Sequence, residues 1–287
     1  MSQTTALGPS SVWSNPVTAV PFMATVFFSA VLVFLVQPMF AKMALPILGG
    51  SSSVWNVSLV CFQGALLAGY IYAHFLCKLK DLRLQVALHG AALLLSAVVL
   101  PLGLSTAFGT PEPSSPALWL IATFAVSIAP PFTVISATAP LIQAWYARSH
   151  RPDAHDPYHL YAASNAGSII GLVAYPLLLE PFSALHFQTM SWSIGYGVLT
   201  LGLISCGLMV ALTATKTAPT EKESTKTANA FKAAYWPQRA KWLALAFLPS
   251  AFLVAVTTHI STDIASGPFV WAPPLIAGGG NIWPHPQ

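Results

Sequence analysis

The chain has 287 residues, of which 55% are hydrophobic and only 7% charged, with a net charge of +4. Soluble domains carry about 25% charged residues, so a water-soluble globular domain is excluded and lipid must be the solvent for most of this surface. The net charge says little about nucleic acid, because the basic residues sit in short loops rather than on one face, and no nucleic-acid partner is expected.

The charges are segregated. No Asp, Glu, Lys or Arg occurs from Met1 to Ala41, from Leu84 to Pro111 or from Pro181 to Thr215. Backbone groups in lipid must be satisfied within their own segment, so the apolar stretches are expected to be helices. The reading is an all-α, polytopic transmembrane helix bundle of about seven helices. The spans are 20–45, 54–77, 85–107, 117–140, 158–180, 188–213 and 242–263.

The first span lacks a basic segment before it and is too long for a signal peptide, so it is expected to be retained. Gln37-Pro38 lies one turn before Lys42, where proline would kink the helix and free a carbonyl. In the second span Asn56, Gln63, Tyr70 and His74 are spaced 7, 7 and 4 apart. At about 100° per residue they share one helical face. Two readings stand: hydrogen-bonding between helices in the bundle interior, or a polar stripe along a substrate path.

Pro130-Pro131 should break the fourth span. In the fifth, Asp156-Pro157 reads as a helix start. Ala163, Gly167 and Gly171 recur every four residues beyond it, so a neighbouring helix can approach closely. Ser164, Asn165 and Ser168 add hydrogen-bonding capacity beside that contact. The segment 215–241 is the one long hydrophilic stretch and reads as a flexible cytoplasmic linker between a six-helix unit, 1–214, and the seventh helix. Residues 264–287, rich in Gly and Pro, read as a disordered tail.

Orientation follows from the loops. Lys78, Lys80 and Arg83, then Arg148 and Arg151, then the six basic residues from Lys216 to Lys241 put eleven of the 12 Lys and Arg on one side. By the positive-inside rule that side, with the N-terminus, is cytoplasmic. Lys42 is the exception. It lies toward the outer side with Glu180 and Asp263, and a charge there costs several kcal/mol unless paired or hydrated. Lys42 is therefore expected to pair with Glu180 or Asp263, against the alternative that each reaches for the headgroups. The polar run Thr257–Asp263, with His259, could form a hydrated site. Tyr175 adds an aromatic near Glu180.

No enzyme constellation emerges. Ser51–Ser53 follow Gly49-Gly50 without the strand-to-helix elbow of a nucleophile. The Gly278–Gly280 run has no strand before it or helix after it to make a phosphate loop. His150, His155 and His159 lie near one another in a loop, where solvation is the default reading over a metal site. The three cysteines show no zinc or CxxC spacing and read as small apolar thiols. No cofactor is expected.

Four stretches carry a resemblance: Phe34–Ser52, Val54–His74, Asp156–Pro181 and Trp242–Pro268. Together the chain resembles the N-terminal transmembrane half of bacterial fused MFS-like transporter/spermidine-synthase-like membrane proteins. In that family a multi-helix domain precedes a cytoplasmic, Rossmann-like aminopropyltransferase domain. The resemblance covers nearly the whole chain up to about Pro268 and implies a multi-pass protein of the bacterial inner membrane. Its function would be transporter-like, handling polyamines or another small cationic ligand at groups such as Glu180, Asp263 and Tyr175. The alternative is an anchor or regulatory module for a separate synthase-like cytoplasmic partner.

After Trp271 the sequence departs from the family pattern, without its further apolar helices, glycine-rich nucleotide loop or acidic catalytic residues. Aminopropyl transfer is not expected of this chain. The abrupt change reads as a truncated or frameshifted product, with a natural short form as the alternative.

Overall fold

The computed structural model describes residues 16–49, 52–112, 115–149, 151, 153–154, 157–213 and 236–263. Among the described residues there is no strand, and five helices are long and apolar enough to cross a membrane, six if one bent pair counts as a single span. The protein is an all-helical, multi-pass membrane bundle. The linker between 214 and 235, the tail 264–287, His150, His155 and Asp156 lie outside the described residues.

Helix α1, Val20–Leu48, is the hub of the bundle. Phe22, Val26, Val36 and Phe40 along it are almost wholly enclosed. It absorbs Pro38 and Pro46 without ending. Helix α2, Ser52–Cys77, returns across the bundle, and α3, Leu82–Ser96, crosses again. Asp81 caps α3: its Oδ1 accepts the Arg83 amide N–H at 2.9 Å, a standard use of Asp at a helix start. The third apolar run was expected to be helical to 107, but regular helix stops at Val99. Pro101 explains the stop, because the residue before a proline is driven out of the α region.

The fourth span is broken where the prolines stand. Helix α4, Pro116–Ser127, is followed after Ile128 by α5, Ala129–Ser136, and α6, Thr138–Tyr146, with a 61° bend between the two halves. Pro130 and Pro131 carry no N–H, so the carbonyls of Val126 and Ser127 lose their usual helical donors. The connection between α3 and α4 packs against this segment. Its Ser105 N–H donates to Ser127 Oγ at 2.9 Å, and Trp119 Nε1 donates to the Gly109 carbonyl at 2.9 Å.

Helix α7, Tyr158–Ala174, runs into a π turn at Tyr175–Leu179 and a last helical turn at Glu180–Phe182. Pro176 sits in that turn and cannot donate to the Leu172 carbonyl, a common setting for a π bulge. Helix α8, Leu185–Thr213, recrosses the membrane, and α9, Trp236–Asp263, lies along α2. The seventh expected span is thus a helix, but its apolar part is only Ala240–Val256 and most of its described side chains are exposed.

Among the described residues the tightest packing joins α1 to α7. A Cβ on Gly167 would stand 2.3 Å from the Phe27 carbonyl oxygen, and one on Gly171 would stand 2.9 Å from that of Val31. Both obstacles are backbone, so neither can swing aside. The four-residue spacing of small residues therefore does what the sequence implies, with Ala163 half-buried one turn earlier. On the far side of the bundle Gly69 plays the same part for α2 against α5, where a Cβ would lie 2.5 Å from Thr133 O.

Gly167→Ala should destabilise the protein by about 1–3 kcal/mol through overpacking, despite alanine's better helix propensity. Gly64→Ala, where no atom lies within 4 Å of the new Cβ, should be neutral or stabilising by up to about 1 kcal/mol. Thermal unfolding in mild detergent measures both; equal behaviour of the two variants would contradict the packing assigned to Gly167.

Candidate functional site

The end of the bundle opposite the basic loops holds the one ion pair described between the apolar helices. Lys42 Nζ stands 3.9 Å from Glu180 Oε1, with the two side chains 30% and 20% exposed. At that distance the groups attract without sharing a direct hydrogen bond. The other carboxylate oxygen, Glu180 Oε2, is buried and has no hydrogen-bond partner among the described residues. A half-satisfied buried carboxylate is unfavourable in itself, so Glu180 is under-coordinated by the protein's own groups.

Tyr175 and Leu179 precede Glu180 through the π turn and line a cavity of about 150 Å³ between α1, α7 and α8. Leu32 and Met39 of α1 form one wall; Gln188, Ser191 and Trp192 of α8 form another. Tyr175 is buried, and its hydroxyl donates to Gln188 Oε1 at 3.2 Å. Gln188 Nε2 in turn donates to the carbonyls of Leu179 and Ser183 at 3.2 and 3.0 Å. Trp192 Nε1 donates to the Leu32 carbonyl at 2.9 Å. These bonds fix the two aromatic rings that line the cavity, and Glu180 follows one residue after its wall at Leu179.

Of the residues singled out from the sequence, Lys42, Tyr175 and Glu180 come together here. Gln37, one turn and more before Lys42 on α1, is half-buried. His259 lies exposed on α9, and the Asp263 side chain is outside the described residues. The stripe on α2 is a correction. Gln63, Tyr70 and His74 are exposed and point away from the bundle, and Asn56 is half-buried, so the four line no interior path. A different face of α2, with Phe62, Ala65, Gly69 and Ala73, is the one that packs inward. Periodicity groups residues on a face without saying which way that face turns. Asn165 is likewise exposed on α7.

Other polar residues escaped the sequence reading. His89 on α3 is fully enclosed. Its Nδ1 lies 3.2 Å from the Tyr72 hydroxyl, the two rings stack at 5.7 Å, and His89 Nε2 has no hydrogen-bond partner. One turn earlier, Gln85 Oε1 accepts from Trp145 Nε1 at 2.9 Å, while its Nε2 donates to the Leu79 carbonyl at 2.6 Å. The network ties α2, α3 and α6 together toward the basic-loop end. Its only signal was the spacing of Gln85 and His89, four apart in an apolar run.

At the same end Arg151 makes a two-pronged contact with Asp153, Nε to Oδ1 at 2.7 Å and Nη2 to Oδ2 at 3.0 Å. Its Nη1 donates to Thr18 Oγ1 just ahead of α1, and its guanidinium lies 5.7 Å from the Tyr146 ring centroid. Hydrogen bonding from Arg151 holds the Asp153 carboxyl down at about 2. The triad of His150, His155 and His159 is only partly described: His159 packs edge-on against Tyr146 at 5.2 Å. Among the described residues no cluster of metal-ligating groups occurs. Cys61, Cys77 and Cys206 are unpaired thiols.

No protein-family model, curated protein or solved structure matches this chain.

Because the folded Asp153 carboxyl titrates below its ordinary value near 4, it stabilises the fold above that value, and the contribution disappears as pH falls toward 2. Thermal unfolding of the wild type should therefore show an acid-dependent loss between about pH 4 and 2 that Asp153→Asn largely removes. An unchanged acid profile in the variant would contradict the linkage.

Proposed function

We propose that this protein is a transporter-like membrane domain that binds a small organic cation, of the polyamine class, at Glu180. One observation carries the reading: a carboxylate within the bundle has one oxygen held loosely by Lys42 at 3.9 Å and the other buried without a partner. A ligand ammonium supplies the missing donor. It also competes with Lys42 for the same charge, so binding would release Lys42 and loosen the outer tie between α1 and α7.

The neighbouring cavity supports the same class of ligand. At about 150 Å³ it accepts a slender molecule, comparable to apolar cavities that take a benzene-sized guest. Tyr175 and Trp192 present aromatic surface for cation–π contact, and Ser191 offers a hydroxyl at the exposed rim. The resemblance in the sequence to the membrane half of transporter/synthase fusions points to polyamines within that class. The anchor reading draws on the cytoplasmic loops and on 215–241, which fall largely outside the described residues, and no observation favours it.

Calorimetric titration of purified protein with spermidine tests the proposal. The wild type should bind saturably, and Glu180→Gln should weaken binding at least tenfold, equivalent to about 1.4 kcal/mol. Lys42→Met removes the competing cation and should strengthen it. Absence of saturable binding, or a Glu180→Gln variant indistinguishable from wild type, would overturn the assignment.

A further inference from the structure

A second concavity lies on the flank of the bundle, away from Glu180. It is a groove of about 520 Å³ between α3 and α8, walled by Val86, Gly90 and Leu94 on one side and Ile204, Leu208 and Leu212 on the other. Leu94, Leu208 and Leu212 are largely exposed. The lining is apolar except at one end, where Arg83 stands exposed at the start of α3.

Three features fix what fits there. The first is length. From Arg83 to Leu94 the helix rises about 16 Å, half of a hydrocarbon core about 30 Å thick, so the groove spans one leaflet. The second is width. A Cβ on Gly90 would lie 3.7 Å from Ile204 Cδ1, so α3 and α8 already touch along the floor. The furrow above that contact is bounded by apolar side chains on both helices, along which a polymethylene chain can lie. The third is charge. Among the described residues the one charged group lining the groove is a cation at its membrane-surface end, on the side that also carries Lys78 and Lys80. Basic pockets between helices on that side suit anionic headgroups.

We propose that this groove binds one anionic phospholipid from the leaflet at the basic-loop end, an acyl chain lying along α3 and α8 and the phosphate on Arg83. The guanidinium presents paired N–H donors to phosphate oxygens, while Asp81 is held by the Arg83 amide at the helix cap. The assignment is independent of the cation site at Glu180.

Native mass spectrometry of the intact chain in mild detergent, titrated with phosphatidylglycerol or phosphatidylcholine, tests it. The wild type should retain one phosphatidylglycerol in preference to phosphatidylcholine. Arg83→Gln should weaken phosphatidylglycerol binding about fivefold and leave phosphatidylcholine unchanged. Ala87→Phe, which fills the groove from an exposed position, should weaken both, whereas Leu67→Phe on the exposed face of α2 should weaken neither. Equal affinity for the two lipids, an Arg83→Gln variant that keeps its preference, or loss of lipid only on dimer formation would each overturn the proposal. Unfolding temperatures of the three variants separate loss of the site from loss of the fold.

Discussion

The close approach of α1 and α7 is the contact on which the rest of the bundle depends. Lipid gives apolar helices no hydrophobic reason to associate, so they stay together through packing and hydrogen bonds. Gly167 and Gly171 let the two backbones meet at the carbonyls of Phe27 and Val31. That contact is then tied at both ends. Arg151, just before α7, reaches Thr18 just ahead of α1; Glu180, just past the π turn, faces Lys42 near the other end of α1. The two ties differ in kind. The tie at Arg151 is a two-pronged, well-hydrogen-bonded contact, and the tie at Glu180 is long and leaves a carboxylate oxygen unsatisfied. Such an asymmetry places the adaptable end of the pair opposite the basic loops.

Prolines shape the Glu180 end. A π turn carries one residue more than an α turn, so the helical turn after it is rotated about the axis by close to one residue's step of about 100°. The turn at Tyr175–Leu179 therefore sets where Glu180 points, and Pro176 is the chemical reason for it. Pro130 and Pro131 do the same for the fourth span, where the connection between α3 and α4 meets the bend through Ser105 and Ser127. Bent and interrupted helices at membrane depth leave backbone groups to be satisfied by side chains, which is tolerated where the protein itself surrounds them.

Composition and charge spacing made the class and most of the span positions legible, because lipid imposes helix length directly. The break at Pro130-Pro131 and the small-residue seam on α7 were legible for the same reason: each follows from a local steric rule. The pairing of Lys42 with Glu180 could be anticipated as a charge argument, though not the orphaned second oxygen. What the sequence did not show is orientation about the helix axis. Gln63, Tyr70 and His74 form the expected stripe, yet it faces outward, because burial of α2 is decided by Phe62 and Gly69 against helices far away in sequence. The contacts of His89, Gln85 and Arg151 were not legible, since their partners, Tyr72, Trp145 and Thr18, become neighbours only on folding.

The central claim is that the seam at Gly167 and Gly171 brings Lys42 to Glu180. The most direct measurement is cross-linking of a Lys42→Cys, Glu180→Cys variant in membranes with a short bifunctional thiol reagent, the three native cysteines replaced by alanine. The account predicts efficient intramolecular cross-linking that falls sharply when Gly167→Val is added and persists when Gly64→Val is added instead. Cross-linking that is absent from the start, or indifferent to Gly167→Val, would contradict it.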